Sequence, residues 1–245
     1  MAATTTYLIT GASRSLGLGY CTALLRSSPS IHIVAAARDP SGAPELQALA
    51  RQPENEGRVY LLKLDVADKA CVEAAAKELE ESGWLGEGGV DTLVNNAGVC
   101  EGDEFQPTEV TPETVLFNLN TNLFGVMHVT QAFLPLLRGS KAPRIFNVSS
   151  WCASMEYWGK NERSTAYGIS KAALNMYTRK LAVELGEEGF TVAVYHPGFV
   201  LTPMNGGRGD TTVEEAAEQA VKNVFSASRE QNGRFLNYSG GEFPW

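Results

Sequence analysis

The sequence predicts a doubly wound α/β fold, in which helices cover both faces of a parallel sheet of about seven strands. Two observations predict it: short apolar runs alternate with amphipathic stretches along the whole chain, and strand and helix candidates follow one another in strict alternation. The 245 residues contain no internal repeat and no linker long enough to divide them. We therefore expect residues 1–245 to form a single domain with a substantial core.

The strand candidates are rich in Val, Ile, Leu and Tyr and are too short to be helices. They are Tyr7–Thr10, Ile31–Ala36, Val59–Leu64, Thr92–Asn95, Arg144–Val148, Thr191–Tyr195 and Phe235–Asn237. Helices are predicted at Leu18–Arg26, Ala43–Arg51, Lys69–Glu81, Pro112–Leu137, Ala166–Gly186 and Val213–Ser226. Thr111 and Pro112 open one of these helices with a cap and a first-turn proline.

Composition disfavours several classes of function. The net charge of -8 disfavours a nucleic-acid partner, and no run of about 18 apolar residues is present to span a membrane. The chain shows no charged and then apolar leader, so we expect a cytoplasmic protein. The three histidines are far apart in sequence and suggest no metal cluster. The four cysteines lack Cys-x-x-Cys spacing and are expected to be reduced thiols rather than disulfides or a metal site: Cys21, Cys71, Cys100 and Cys152.

Two short motifs predict a nucleotide-binding cleft. The first strand candidate runs into Thr10-Gly11-Ala12-Ser13-Arg14-Ser15-Leu16-Gly17-Leu18-Gly19. A strand, a glycine turn and a helix in this order aim a helix N-terminus at a pyrophosphate, although many glycine-rich turns are only tight turns. Asn95-Asn96-Ala97-Gly98 ends the fourth strand candidate, at the edge where open parallel sheets bind ligands.

The segment Tyr167-Gly168-Ile169-Ser170-Lys171 places a phenol and an ammonium one helical turn apart on the same face. A positive charge about 4 Å from a phenol, at an effective dielectric of about 20, favours the phenolate by about 4 kcal/mol before screening. Such a phenol can exchange protons near neutral pH. The alternative is a chance pattern with a surface lysine, and the motifs upstream argue against it.

Taken together, these motifs resemble the short-chain dehydrogenase/reductase family, which has a Rossmann-type fold. The family's glycine signature is Thr-Gly-x-x-x-Gly-x-Gly, and Ser15 stands where the middle glycine is expected. This serine would either clash or bond a phosphate oxygen, and we expect it to be tolerated. Residues 232–238 and Trp245 resemble the carbonyl-reductase-like branch of the family. The resemblance covers essentially the whole chain.

The resemblance implies a nicotinamide cofactor, and the end of the second strand selects between NADP(H) and NAD(H). Ala37 occupies the place of the acid that pairs with the NAD ribose, whereas Arg38 and Arg14 can pair with the 2′-phosphate of NADP. The acidic Asp39, one residue further on, leaves NAD(H) as the alternative cofactor, but we expect NADP(H). The implied cofactor-binding residues are Gly11, Ser13, Arg14, Ser15, Leu16, Gly17, Arg38, Asp65, Val66, Asn96, Ala97, Gly98, Tyr167, Lys171, Pro197, Gly198, Val200 and Thr202.

The same resemblance implies four catalytic residues: Asn122, Ser150, Tyr167 and Lys171. Ser150 would bond the substrate oxygen, with Ser149 open as the alternative. Tyr167 would act as general acid/base, supported by Lys171 and by a relay water on the backbone of Asn122. The expected reaction is the NADP(H)-dependent reduction of a ketone or aldehyde to an alcohol. An NAD-dependent alcohol dehydrogenase and a nicotinamide-binding regulatory protein without turnover are the alternatives.

Several large apolar residues predict an apolar pocket for a bulky or aromatic carbonyl compound. The alternative is that most of these residues only pack the loop. The candidates are Trp151, Met155, Tyr157, Trp158, Phe199 and Met204. An insertion around Gly159–Ser164 separates Ser150 from Tyr167 by more than the family's usual distance. The polar stretch Asn205–Thr212 predicts a mobile loop. Neither a membrane nor a nucleic acid is expected as partner, and a homodimer through the central helices or the last strand is one option.

Overall fold

The computed structural model describes residues 4–86, 88–102, 104–157 and 164–245. Its strands are β1 (Thr5–Thr10), β2 (Ile31–Ala37), β3 (Val59–Lys63), β4 (Thr92–Asn95), β5 (Arg144–Val148), β6 (Thr191–His196) and β7 (Phe235–Asn237). All of them join one parallel sheet in the order β3-β2-β1-β4-β5-β6-β7. The predicted fold class is confirmed, and every predicted strand overlaps an observed one.

The helices connect successive strands. They are α1 (Ser15–Ser27), α2 (Pro44–Ala50), α3 (Lys69–Glu81), α4 (Pro112–Leu119), α5 (Val126–Arg138), α6 (Thr165–Gly186) and α7 (Val213–Asn223). Side-chain caps explain several of the starts. The Asp68 carboxylate accepts hydrogen bonds from the first turn of α3, and Thr111 caps α4 as its sequence predicts. Thr212 and Glu215 form a reciprocal capping box at α7.

The prediction of one continuous α-helix over Pro112–Leu137 is wrong. A π-helical turn, Asn120–Gly125, separates α4 from α5. A π-turn closes i→i+5 hydrogen bonds over a few residues only, so the apolar periodicity of the flanking helices does not reveal it. The helix predicted over Val213–Ser226 is also too long, because α7 ends at Asn223.

The winding of the sheet reverses between β1 and β4. β1 pairs with β2 on one side and with β4 on the other. Connections from these neighbouring strands run to opposite halves of the sheet, and this arrangement opens a crevice at their carboxyl ends. The glycine turn follows β1, and the segment Asn96-Ala97-Gly98 follows β4, so both motifs enter the crevice.

Alternate side chains of each strand enter two separate cores. Tyr7 and Ile9 of β1 pack with α1, α2 and α7 on one face of the sheet. Leu8 packs with α3, α5 and α6 on the other face. Both faces are therefore covered, and the loops at the strand ends are left to form a binding site. Within the described ranges, no helix combines the length and the apolar composition that a bilayer crossing requires.

Candidate active site

A cleft of about 1660 Å³ runs along the carboxyl ends of the strands. Every residue predicted to bind the cofactor lies on its wall. Three of the predicted catalytic residues, Ser150, Tyr167 and Lys171, line the same cleft. The structure thus brings together motifs that are far apart in sequence.

The junction of β1 with α1 needs glycine at two positions, one in the turn and one in the first turn of the helix. Gly11 has a φ of +68°, and a Cβ on it would lie 3.0 Å from the Cα of Ala97. A Cβ on Gly17 would collide with the carbonyl oxygen of Gly11. These glycines let α1 begin directly against the end of β1, where its N-terminal N–H groups can meet an anion.

Thr10 and Asn96 connect the two nucleotide-side motifs. The Thr10 hydroxyl oxygen accepts hydrogen bonds from the backbone N–H groups of Asn96 and Ala97, each at 3.0 Å. In return, the Asn96 side-chain amide donates to the Thr10 carbonyl oxygen at 2.9 Å. The glycine turn after β1 is therefore held to the Asn-Asn-Ala-Gly turn after β4.

Ser15 adopts a backbone conformation that favours glycine. Its φ is +48°, in the left-handed region that favours glycine. The residue is half-buried and lines the cleft. A non-glycine residue in this region carries a cost of about 1–2 kcal/mol. The departure from the family signature thus leaves the turn in place and adds strain to it.

The end of β2 presents a positive charge to the cleft. Arg38 is exposed and lines the cleft, as does Arg14 in the glycine turn. The Asp39 carboxylate instead accepts hydrogen bonds from the Ser41 hydroxyl at 2.6 Å and the Gly42 N–H at 2.9 Å. These two bonds hold the pKa of Asp39 below its usual range. Asp39 is therefore engaged by its own turn.

Lys171 is a buried ammonium beside Tyr167 on α6. Its Nζ lies 5.7 Å from the centroid of the Tyr167 ring and donates a hydrogen bond to the Val148 carbonyl oxygen at 2.8 Å. Burial lowers the pKa of Lys171 to about 8, and the charge of Cys100 acts in the opposite direction. Lys171 consequently remains charged at neutral pH while it lies in the cleft wall.

Asn122 lies behind the cleft wall, on the π-helical turn. Its Oδ1 accepts a hydrogen bond from the Val99 N–H, and its Nδ2 donates to the Val99 carbonyl oxygen and to the Ser170 hydroxyl, all at 2.9 Å. A Cβ on Gly98 would lie 3.2 Å from Asn122 Oδ1 and 3.6 Å from Lys171 Nζ. Asn122 is thus the neighbour of Lys171, one layer below the surface of the cleft.

The two serines after β5 have different surroundings. The Ser149 hydroxyl donates its proton inward, to Asn175 Oδ1 at 2.7 Å. The Ser150 oxygen accepts a hydrogen bond from the Cys152 N–H at 3.2 Å, which uses a lone pair and not the hydroxyl proton. This geometry favours Ser150 over Ser149 as the donor to a substrate.

The loop after β6 completes the cleft. Gly198 has a φ of +91°, and a Cβ on it would lie 2.8 Å from the ring of Tyr238. Thr202 is buried at the start of the 3-10 turn Pro203–Asn205. Both residues line the cleft, as the sequence predicts.

Residues 5–228 match the family model of the short chain dehydrogenases. The chain belongs to this family. It is an oxidoreductase, and two relatives match it over nearly its whole length. An uncharacterised oxidoreductase of Schizosaccharomyces pombe is 32% identical over 98% of this chain and 97% of its own. A short-chain dehydrogenase of Pyricularia oryzae is 32% identical over 100% of both chains.

Solved structures agree with this membership. An NADPH-bound carbonyl reductase from chicken fatty liver is 33% identical, with a TM-score of 0.89 over 99% of this chain and 100% of its own. The carbonyl reductase Sniffer of Drosophila melanogaster is 29% identical, with a TM-score of 0.89 over the same shares of the two chains.

Only some of the apolar residues predicted for a substrate pocket line the cleft. Trp151, Phe199 and Met204 line the cleft. Met155 is 83% exposed, and neither it nor Tyr157 contributes to the described wall. Tyr157 packs its ring against other aromatic rings instead. The predicted residue Trp158 and the insertion at 159–163 lie outside the described residues.

Several wall residues were not predicted from the sequence. They include Leu116 and Phe117 of α4, Cys100, Cys152 and Arg208. Leu116 and Phe117 are exposed large apolar residues, whereas apolar residues at helical spacing usually indicate a core face.

Ser15→Gly should stabilise the protein. Glycine adopts the observed φ of +48° without strain, so we expect the free energy of unfolding to rise by about 1 kcal/mol. Urea denaturation of the variant and the wild type measures this difference. Ser13→Gly is the matched control: Ser13 lies in the same turn without a positive φ, and glycine there should not stabilise. If Ser15→Gly is no more stable than Ser13→Gly, the backbone at Ser15 is not strained.

Lys171 should make the free energy of unfolding depend on pH. Its pKa is about 8 when folded against an ordinary 10.5, so the unfolded chain binds more protons between these values. Relative to Lys171→Met, the stability should be independent of pH below 8 and should rise from pH 8 to 10.5. Urea denaturation of both proteins in a Tyr167→Phe background excludes titration of the phenol. If the free energy of unfolding with Lys171, relative to that with Lys171→Met, stays constant or falls across this pH range, the ammonium is not desolvated.

Proposed function

We propose that this oxidoreductase is an NADPH-dependent carbonyl reductase, which converts a ketone or an aldehyde into an alcohol. The observation that carries the proposal is the presence of Ser150, Tyr167 and Lys171 in the cleft that the glycine turn opens. A hydroxyl, a phenol and an ammonium together can bind a carbonyl oxygen and protonate it. Residues 1–245 would act as one nicotinamide-binding domain.

The walls of the cleft fit a reduced dinucleotide. Gly11 and Gly17 leave the turn before α1 free of the side chains that would keep a pyrophosphate from the backbone. Arg14 and Arg38 provide two positive charges for a 2′-phosphate, while Asp39 is engaged elsewhere. The NADPH of the chicken carbonyl reductase supports this choice, as does the NADP of a 26% identical gluconate 5-dehydrogenase from Burkholderia cenocepacia. NADPH, when bound, supplies the hydride.

Ser150 and Tyr167 are assigned to the carbonyl oxygen of the substrate. Negative charge develops on this oxygen only as the reaction proceeds, so two donors aimed at it stabilise the transition state more than the substrate. Tyr167 then gives its proton to the forming alkoxide. The ammonium of Lys171, 5.7 Å from the ring centroid, favours the phenolate that remains.

The proton that leaves Tyr167 has to be replaced from solvent. Lys171 Nζ and Asn122 Oδ1 both lie beside Gly98: a Cβ on this glycine would be within 3.6 Å of each. We assign the replacement to Lys171, with Asn122 and its π-helical turn positioned beside it. π-turns occur frequently at functional sites, and this one occurs where the central helix passes the cleft.

Apolar walls favour a bulky or aromatic carbonyl substrate. Trp151, Phe199 and Met204 provide large apolar side chains, and Leu116 and Phe117 add two more. A pocket of this composition binds through apolar burial and uses a few polar groups for orientation. The polar groups here are those that would hold the carbonyl oxygen.

Two other functions use the same cleft. An NAD-dependent alcohol dehydrogenase would use an acid at the end of β2 to meet the ribose hydroxyls. Asp39 is the acid there, and its Oδ1 already accepts two hydrogen bonds from its own turn. A non-catalytic nicotinamide-binding protein would not need Ser150, Tyr167 and Lys171 together in one wall. A cytoplasmic location and a homodimer stay predictions from the sequence.

Tyr167→Phe should abolish most turnover without weakening NADPH binding. The change removes the proton donor and keeps the ring, so we expect kcat for a ketone to fall by about 10²–10⁴-fold. Steady-state kinetics and fluorescence titration with NADPH measure the two effects. Tyr177→Phe is the matched control, because Tyr177 lies on the same helix and outside the described wall. Equal turnover in the two variants would overturn the role of Tyr167.

Arg38→Ala should weaken NADPH binding and leave NADH binding nearly unchanged. Loss of a charged hydrogen bond to the 2′-phosphate costs about 1.5–3 kcal/mol, or roughly 10–100-fold in Kd. Fluorescence titration of both cofactors against the wild type and the variant separates NADP(H) from NAD(H) selectivity. Arg51→Ala, on an exposed arginine beyond the end of α2, is the control. An equal loss for both cofactors would contradict the assignment of Arg38.

A further inference from the structure

The residues after β7 turn back and pair with that strand. The Phe243 N–H donates to the Phe235 carbonyl oxygen at 2.7 Å, and the Asn237 N–H donates to the Gly241 carbonyl oxygen at 3.0 Å. Leu236 and Glu242 form an antiparallel bridge. We call residues 241–245 the clamp segment, because they are anchored on the sheet and reach the loop after β5.

The clamp segment bonds directly to that loop. The Trp245 carbonyl oxygen accepts hydrogen bonds from the Glu156 N–H at 2.7 Å and from the Ser154 hydroxyl at 3.0 Å. The Ser154 oxygen in turn accepts a bond from the Tyr157 N–H at 2.8 Å. The Trp245 carbonyl oxygen thus binds the Glu156 N–H and the Ser154 hydroxyl directly. The Tyr157 N–H is connected to it through Ser154.

A row of aromatic rings continues from the clamp segment to the cleft. The Phe243 ring lies 5.3 Å from the Tyr157 ring, and the Tyr157 ring lies 6.2 Å from the Trp151 ring, both in edge-to-face geometry. Trp151 lines the cleft. Tyr157, predicted from the sequence to contact the substrate, therefore lies behind the cleft wall and contacts its residue Trp151.

The Trp245 ring anchors the clamp segment. It packs 5.5 Å from the Phe235 ring of β7, and the Arg179 guanidinium lies over it at 5.1 Å. Arg179 also donates to the Gly233 carbonyl oxygen at 2.9 Å. Arg179 belongs to α6, the helix that carries Tyr167, so the anchor and the catalytic phenol share one rigid element.

We propose that Trp245 is a positioning residue that holds residues 151–157 and thereby sets the shape of the substrate wall, an inference that rests on the proposed reductase activity. Ser150 and Trp151 begin this loop, and the Ser150 oxygen is bonded to its Cys152 N–H. Displacement of the loop would move the donor for the carbonyl oxygen and the aromatic wall together. Small displacements of this kind cost catalysis and selectivity without any loss of a reacting group.

Trp245→Ala tests the proposal, with Trp84→Ala as the matched control. Trp84 is also a half-buried tryptophan, packed 5.5 Å from both His32 and Tyr60 near the amino ends of β2 and β3. Amide hydrogen exchange of the peptide covering residues 151–157 should become faster in Trp245→Ala and stay unchanged in Trp84→Ala. Trp245→Phe keeps a ring beside Phe235 and should restore part of the protection.

The kinetic arm compares an aromatic ketone with a small aliphatic aldehyde, both with NADPH. In Trp245→Ala we expect kcat/KM for the aromatic ketone to fall at least about tenfold further than that for the aldehyde, because only the larger substrate spans the Trp151 wall. The Kd for NADPH should stay unchanged, since the clamp segment does not line the described cleft. Trp84→Ala should leave the ratio of the two kcat/KM values unchanged.

Each result decides the matter. Unchanged exchange in Trp245→Ala would overturn the positioning role, and faster exchange with an unchanged substrate ratio would overturn its effect on selectivity. If the wild type reduces neither substrate, the proposed function fails with these substrates. In that case the exchange data alone still decide whether Trp245 holds the loop.

Discussion

The site depends on the burial of one ammonium group. Lys171 is only 4% exposed, and desolvation of this kind drives a lysine toward its neutral form. The Val148 carbonyl oxygen offsets part of that cost by accepting a hydrogen bond from Nζ at 2.8 Å. A pKa of about 8 is the balance, and it leaves the charge in place at neutral pH. Because Val148 ends β5, the strand that holds this charge also delivers Ser150 two residues later.

Lys171 reaches Val148 only while α6 keeps its position on the sheet. Buried amides fix that position: Asn95 of β4 donates to Asn147 of β5, and Asn147 donates to Thr178 of α6, each at 2.8 Å. Thr178 lies two helical turns beyond Lys171, on the same face. A shift of α6 would leave buried polar groups without partners, which is costly in a low dielectric. The polar network thus supports the face of α6 that carries Lys171.

Local sequence patterns predicted the strands, most helix bounds and the motifs that line the nucleotide side of the cleft, because apolar periodicity, glycine turns and caps act over a few residues. They did not predict the π-helical turn at Asn120–Gly125, whose Asn122 makes its bonds to Val99 and Ser170, distant in the chain. Leu116 and Phe117 were not predicted as wall residues for a similar reason: their apolar side chains indicate a core face until the neighbouring loops are placed. The hydrogen bonds that Asp39 accepts from its own turn were not evident in the sequence, where Arg38 and Asp39 simply follow the second strand.

The sequence by itself determined the α/β fold, the family and the residues that meet at the strand ends, because in a parallel sheet all carboxyl ends share one edge. Only the tertiary structure decided which hydrogen bonds each neighbour of a pair makes. Ser149 and Ser150 both line the cleft, as do Arg38 and Asp39, but the Ser149 hydroxyl donates to Asn175 and the Asp39 carboxylate accepts from its own turn. Tyr157 likewise packs against Phe243 of the clamp segment and does not line the described cleft. The physical reason is that a side chain's role follows from the hydrogen bonds and packing around it, and those partners come from other parts of the chain.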